Sequence, residues 1–242
     1  MKRVLGIIAA IALLLPGMTT GIMVKAEPIP KPADYNRELV HEKFDELTAL
    51  PTPVNTSAWD RKAAGGLTYN VKSAAELGLP DAENHGKVLE LAKDTTNVDN
   101  YLRINYQNNR VVLSQCDVSE LKRVQASFDL YFTEKSQLNI RFYDNTSGST
   151  KGDNLLIFQS DGTIQFLNGG TMPYEIGTWY SFDVYLDFAE GGTYSVYCNG
   201  ELAAENLSTT NLDTCIVSFG LQMGATTNAY TYYLDNMRFA IP

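Results

Sequence analysis

GTWYSFDVYLDFAEGGTYSVYCNG, residues Gly177 to Gly200, spells out two strands joined back to back. In Phe182, Val184, Leu186 and Phe188 every second side chain is apolar, while Ser181, Asp183, Tyr185 and Asp187 between them are polar or amphipathic, which is the period of a half-buried strand. Ala189 to Gly192 supplies the reversal, and Tyr194, Val196 and Cys198 repeat the pattern on the return. Asn199-Gly200 then predicts a further tight hairpin, because both central positions of that turn need positive φ.

The same period recurs outward from this hairpin. Ala126, Phe128, Leu130 and Phe132 alternate with Ser127, Asp129 and Tyr131, and Leu138, Ile140 and Phe142 alternate with Asn139, Arg141 and Tyr143. Leu155–Phe158 and Ile164–Leu167 flank an Asp161-Gly162 turn, and Ile216–Met223 and Tyr230–Phe239 supply the last strands. Lys72–Leu77, stopped by Gly78 and Pro80, is the one helix candidate. Even strand spacing without long interleaved helices predicts an all-β antiparallel sandwich over residues 38–242.

The ends of the chain set its surroundings. Lys2-Arg3, an apolar run from Val4 to Leu15, and small residues near Val24-Lys25-Ala26 read as a signal peptide over 1–26. The run is shorter than the roughly 20 apolar residues of a membrane span, so a secreted, extracellular protein without a membrane anchor is expected. Residues 27–37, with Pro28, Pro30 and Pro32, read as a linker. Cleavage after residue 26 removes Lys2, Arg3 and Lys25, which leaves 28 acidic against 16 basic residues. Without a basic cluster the chain is not expected to bind nucleic acid, and a soluble monomer is expected. The odd cysteine count, Cys116, Cys198 and Cys215, requires an unpaired thiol, with a Cys198–Cys215 bridge as one alternative to buried free thiols.

Fourteen tyrosines, several on the polar side of their strands, suit stacking against sugar rings, with carboxamides and guanidiniums for the hydroxyls. Tyr131, Asn139, Arg141, Tyr143 and Tyr185 are the candidate carbohydrate-binding residues. Arg141, Asn139 and Tyr143 on one polar face also fit a polysaccharide lyase acting on a uronate. A retaining hydrolase pair is not seen: Asp183 and Asp187 are spaced roughly 13 Å apart by strand rise, against about 5 Å for such a pair. Two isolated histidines, His41 and His85, and scattered cysteines argue against zinc. A structural or adhesion protein remains the further alternative.

The Trp-opened hairpin ending in Asn-Gly resembles the concanavalin A-like, laminin-G-like jelly rolls of secreted carbohydrate-binding proteins. The termini extend the likeness: Glu42-Lys43-Phe44-Asp45 is similar to their acidic-Phe-acidic first strand, and Tyr232-Tyr233-Leu234-Asp235-Asn236-Met237 to their last. The resemblance implies a polysaccharide partner and a structural calcium held by Asp235 with Glu42 or Asp45. It also implies that the first and last strands lie side by side. The apolar set changes parity across Asp235-Asn236, which predicts a β-bulge there.

Overall fold

The computed structural model describes residues 32, 34–50, 59–62, 66–97, 99–104, 115–144, 151–189, 191–212, 214–216, 218–224 and 228–242, with the backbone alone at 59–62 and 104. The signal peptide and most of the linker read from the sequence lie outside the described residues. In chain order the elements are β1 (Arg37–Glu42), β2 (Trp59–Lys62), β3 (Leu67–Ser73), α1 (Ala82–His85), β4 (Lys87–Lys93) and β5 (Asn100–Ile104). After a 3₁₀ turn (Val118–Lys122) come β6 (Arg123–Phe132), β7 (Leu138–Asp144), β8 (Lys151–Phe158), β9 (Thr163–Phe166) and β10 (Thr171–Pro173). The chain closes with β11 (Trp179–Asp187), β12 (Thr193–Cys198), β13 (Glu201–Ser208), β14 (Ser218–Met223) and β15 (Tyr230–Ile241).

These strands form two antiparallel sheets packed as a sandwich, as the alternation predicts. Sheet A runs β13-β12-β11-β6-β15-β4-β3, with β1 also on β15; sheet B runs β10-β9-β8-β7-β14-β5-β2. The opening hairpin is β11 on β12, with Val184 opposite Val196, and Asn199 (φ 51°) and Gly200 (φ 82°) make the positive-φ turn into β13. The inward side chains interlock across the sandwich: Phe182 of sheet A meets Phe158 of sheet B at 5.7 Å, and Phe128 meets Phe219 at 6.1 Å. Phe128, Phe158, Phe182 and Phe219 are all essentially fully buried, and burying each such ring contributes about 1.5–3 kcal/mol.

β1 lies beside β15, with Arg37 opposite Ile241, so the first and last strands are neighbours. The register on β6 slips between Asp235 and Arg238, and Asn236 takes φ 50°, which is the bulge that the parity change predicts.

Three local expectations are corrected. Lys72 and Ser73 finish β3 and the turns that follow reach Gly78, so Lys72–Leu77 is no helix; so short a helix gains too few hydrogen bonds to offset nucleation, and its first two residues pair with β4 instead. The acidic-Phe-acidic stretch is not a strand beyond Glu42: Phe44 has φ 61°, is fully buried and plugs the core from a turn closed by its N–H donating to Glu42 Oε1 at 2.8 Å. Cys116, Cys198 and Cys215 are all thiols outside any disulfide, so the Cys198–Cys215 bridge is not formed.

Candidate functional site

In β7, Leu138, Ile140 and Phe142 point into the core and send Asn139, Arg141 and Tyr143 to the outer face of sheet B. The neighbouring strands extend this row by register. Gln222 of β14 lies opposite Asn139, Gly220 opposite Arg141 and Ser218 opposite Tyr143. On the far side of β14, Arg103 of β5 pairs with Gly220 and Tyr101 with Gln222, while Asn154 of β8 pairs with Arg141.

Gly220 is what lets two arginine strands come together. A Cβ at this position would sit 2.2 Å from the Leu102 carbonyl oxygen and 2.6 Å from Arg103 Cα. The Arg103 guanidinium lies 3.4 Å from the Tyr101 ring centroid and 5.1 Å from that of Tyr143, and the Arg141 guanidinium lies 5.4 Å from Tyr143. Arg141 Nη2 donates to the Gly152 carbonyl at 3.2 Å. Four buried polar atoms on this face have no hydrogen-bond partner among the described residues: Arg141 Nε, Asn139 Oδ1, Asn154 Oδ1 and Gln222 Oε1. Leaving a buried polar group unmade costs about 1–3 kcal/mol. One donor and three acceptors so placed can bind a carboxylate and a set of hydroxyls.

Tyr131 and Tyr185 do not join this face. β6 and β11 belong to sheet A, so both rings lie on the opposite outer surface of the sandwich. Tyr131 packs between Trp179 (5.4 Å) and Tyr233 (5.9 Å), and Tyr185 packs edge-on to Tyr35 (5.2 Å) and Tyr197 (5.6 Å). The Tyr185 hydroxyl accepts from Gln125 Nε2 at 3.1 Å, and burial, with Asp183 nearby, pushes its phenol well above the ordinary value. The five candidates are thus divided: three assemble with partners on sheet B, and two serve aromatic packing on sheet A. Arg103 and Gln222 escape a reading of single strands, because only register places them beside Arg141; the alternation of Tyr101 and Arg103 with Leu102 was the available signal.

The residues implied as calcium ligands are also dispersed in their contacts. Glu42 Oε1 accepts from Phe44 N, and Asp45 Oδ1 accepts from Lys87 N at 2.9 Å. Asp235, 2 % exposed, instead places Oδ2 3.0 Å from His85 Nδ1, and Asp129 completes that group; Glu42 and Asp45 are not members of it. Burial lowers the proton affinity of His85, but the hydrogen bond and charge of Asp235, with Asp129 and Asp81 behind them, outweigh it and raise the pKa.

No protein-family model matches the chain, and no curated protein matches it. Among solved structures it is similar to the endo-β-1,4-glucuronan lyase of the fungus Trichoderma reesei, at 13 % identity and TM-score 0.53 over 77 % of this chain and 92 % of that one. It is similar to a conserved carbohydrate esterase of the Shiga toxin-encoding bacteriophage phi24B, at 14 % identity and TM-score 0.50 over 84 % of this chain and 98 % of that one. An exo-β-agarase gives 15 % identity and TM-score 0.50, with 84 % of this chain matched to 25 % of that one. At these identities the likeness is one of fold.

Proposed function

We propose that the protein is a secreted, monomeric jelly-roll domain of the concanavalin A-like kind that binds a uronate-containing polysaccharide on the outer face of sheet B. The observation that carries this reading is the set of polar atoms around Arg141 that have no partner among the described residues. Buried polar groups in folded proteins are nearly always satisfied, so Arg141 Nε, Asn139 Oδ1, Asn154 Oδ1 and Gln222 Oε1 are read as waiting for groups from outside the chain. A sugar ring supplies what they lack: its carboxylate accepts from the guanidiniums, and its hydroxyls donate to the carboxamide oxygens. Tyr101 and Tyr143 hold the two guanidiniums in place, with Arg103 3.4 Å from the Tyr101 ring centroid and Arg141 5.4 Å from that of Tyr143. That the fold neighbours include proteins named for glucuronan and agarose agrees with a glycan as partner.

The second reading is a lyase on the same face. It is favoured by Tyr143, whose ring is flanked by the Arg103 and Arg141 guanidiniums at 5.1 and 5.4 Å. In a uronate elimination the arginines would neutralise the carboxylate, Tyr143 as phenolate would take the proton from the carbon beside it, and the glycosidic C–O bond would break as the C=C bond forms, with the proton passed on to the leaving oxygen.

Affinity electrophoresis through gels cast with a polyuronate or a neutral glucan tests both readings. Retardation in the polyuronate gel alone, lost in Arg141→Ala, is the expected result. Ultraviolet absorbance of an unsaturated product in the same gels would establish elimination. Equal mobility in all gels, or binding untouched by Arg141→Ala, would refute the site.

A further inference from the structure

His85, Asp129 and Asp235 come from three separate elements, α1, β6 and β15, and meet on the outer face of sheet A, opposite the arginine face. Their candidate ligand atoms all lie within 4.8 Å of one another. The bulge at Asn236 steers both carboxylates: its backbone N–H donates to Asp235 Oδ1 at 2.7 Å, and its Nδ2 donates to Asp129 Oδ2 at 2.5 Å. The imidazole is fixed as well. Trp179 stacks face-on against it at 3.8 Å and is itself anchored by Nε1 donating to the Pro80 carbonyl at 3.0 Å.

His85 is only 7 % exposed, and its Nδ1 lies 3.0 Å from Asp235 Oδ2. The ring borders a cavity of about 340 Å³, whose wall also includes Asp81, Asn84, Ser181 and Asn199. Two carboxylates, one of them almost fully buried, beside a buried imidazole are costly to hold unless a cation or proton is shared among them.

We propose that His85, Asp129 and Asp235 form a divalent transition-metal site, with zinc as the occupant their chemistry suits best and its remaining positions open to the cavity. One imidazole nitrogen with carboxylate oxygens is a donor set for zinc at roughly 2.0–2.2 Å, whereas calcium takes six to eight oxygens. Closing the 4.8 Å spread of the ligand atoms onto such a shell would require Asp129, the least buried of the three, to turn toward the other two from its contact with Asn236. A bound ion would tie α1 to the centre of sheet A through β6 and β15, and so fix the segment between β3 and β4. It shares Asp235 with the implied calcium set and neither Glu42 nor Asp45.

The test is calorimetric titration of the chelator-treated full chain with Zn²⁺ alone and Ca²⁺ alone, followed in parallel by tryptophan fluorescence because Trp179 covers His85. One equivalent of Zn²⁺ taken up with a fluorescence change, affinity lowered about tenfold or more in Asp129→Asn and in His85→Gln, and a visible ligand-field band with Co²⁺ are expected. Asp129 is partly exposed, so its variant reports even where His85→Gln does not fold. Absence of saturable zinc uptake, equal affinity in Asp129→Asn, or Ca²⁺ displacing Zn²⁺ would overturn the proposal.

Discussion

Replacing Asp153 by Ala should loosen the seam between the two sheets. Asp153 of β8, 4 % exposed, accepts at Oδ2 from the backbone N–H groups of Thr210 and Asn211, both at 2.8 Å, and of Leu212 at 3.2 Å, and at Oδ1 from Asn211 Nδ2 at 2.7 Å. These bonds pin the chain leaving β13 of sheet A onto β8 of sheet B. A hydrogen bond to a charged group contributes about 1.5–3 kcal/mol, and bonds sharing one carboxylate do not add. Alanine should therefore cost about 3–5 kcal/mol, close to the loss expected for breaking a buried charged network. For a domain of this size about 2–4 °C accompanies each kcal/mol, so Tm should fall by about 6–20 °C. The sign with pH follows from the same contacts. Burial raises the Asp153 pKa, but the backbone groups of Asn211, Thr210 and Leu212 and the Asn211 amide outweigh it, and the net shift is downward. A depressed native pKa gives stability that is fully present above the unfolded value, about 3.9, and lost as pH falls through the native one. The gap in Tm between wild type and variant, measured by scanning calorimetry, should thus be constant near neutrality and shrink below about pH 4. A Tm change under about 1 °C, or a gap that widens in acid, would refute the reasoning.

The other expectations rest on tighter local contacts. Gly220→Ala should cost about 3 kcal/mol or more in urea unfolding, because the added Cβ meets backbone atoms of Leu102 and Arg103 that cannot rotate away; polyuronate retardation should disappear with it even at temperatures where the variant stays folded. Cys198, whose thiol is pushed up to about 11 by burial and by Glu201, should resist iodoacetamide at pH 8 in the native protein, while all three thiols titrate after denaturation without reductant. Fewer than three thiols would contradict the unbridged arrangement.

Alternation told inside from outside wherever the outward side chains are polar or amphipathic, which is why β6, β7, β11 and β12 are readable from their residues even though the outer side of β7 is largely covered. It failed where apolar residues stand on both sides of the strand. In β4, Val88 and Glu90 lie on the outer side yet are as buried as Leu89 and Leu91, so KVLELAK carries no period of two. β13 fails for the reverse reason: an edge strand with hardly a buried position, its ELAAENLS shows no apolar set. Alternation also does not say which sheet a strand enters. Tyr131 and Tyr143 look alike in sequence and stand on opposite surfaces, because that choice is made by pairing across the chain rather than by any local signal. The bulge at Asn236 was legible because it flips side-chain parity within six residues. The partner it serves was not, since His85 lies 150 residues away on a helical turn too short to leave a period.

The pairing of Arg37 with Ile241 also sets how the domain responds to mechanical load. β1 enters and β15 leaves at the same end of one strand pair, so tension applied through the two ends acts across their ladder and not along it. The rungs then open in succession, from Arg37–Ile241 toward Glu42–Met237, with little force needed at any moment. A handle attached at the Asn199–Gly200 turn instead of at the amino terminus would load β12, β11, β6 and β15 across several ladders at once, and the same fold would resist far more strongly.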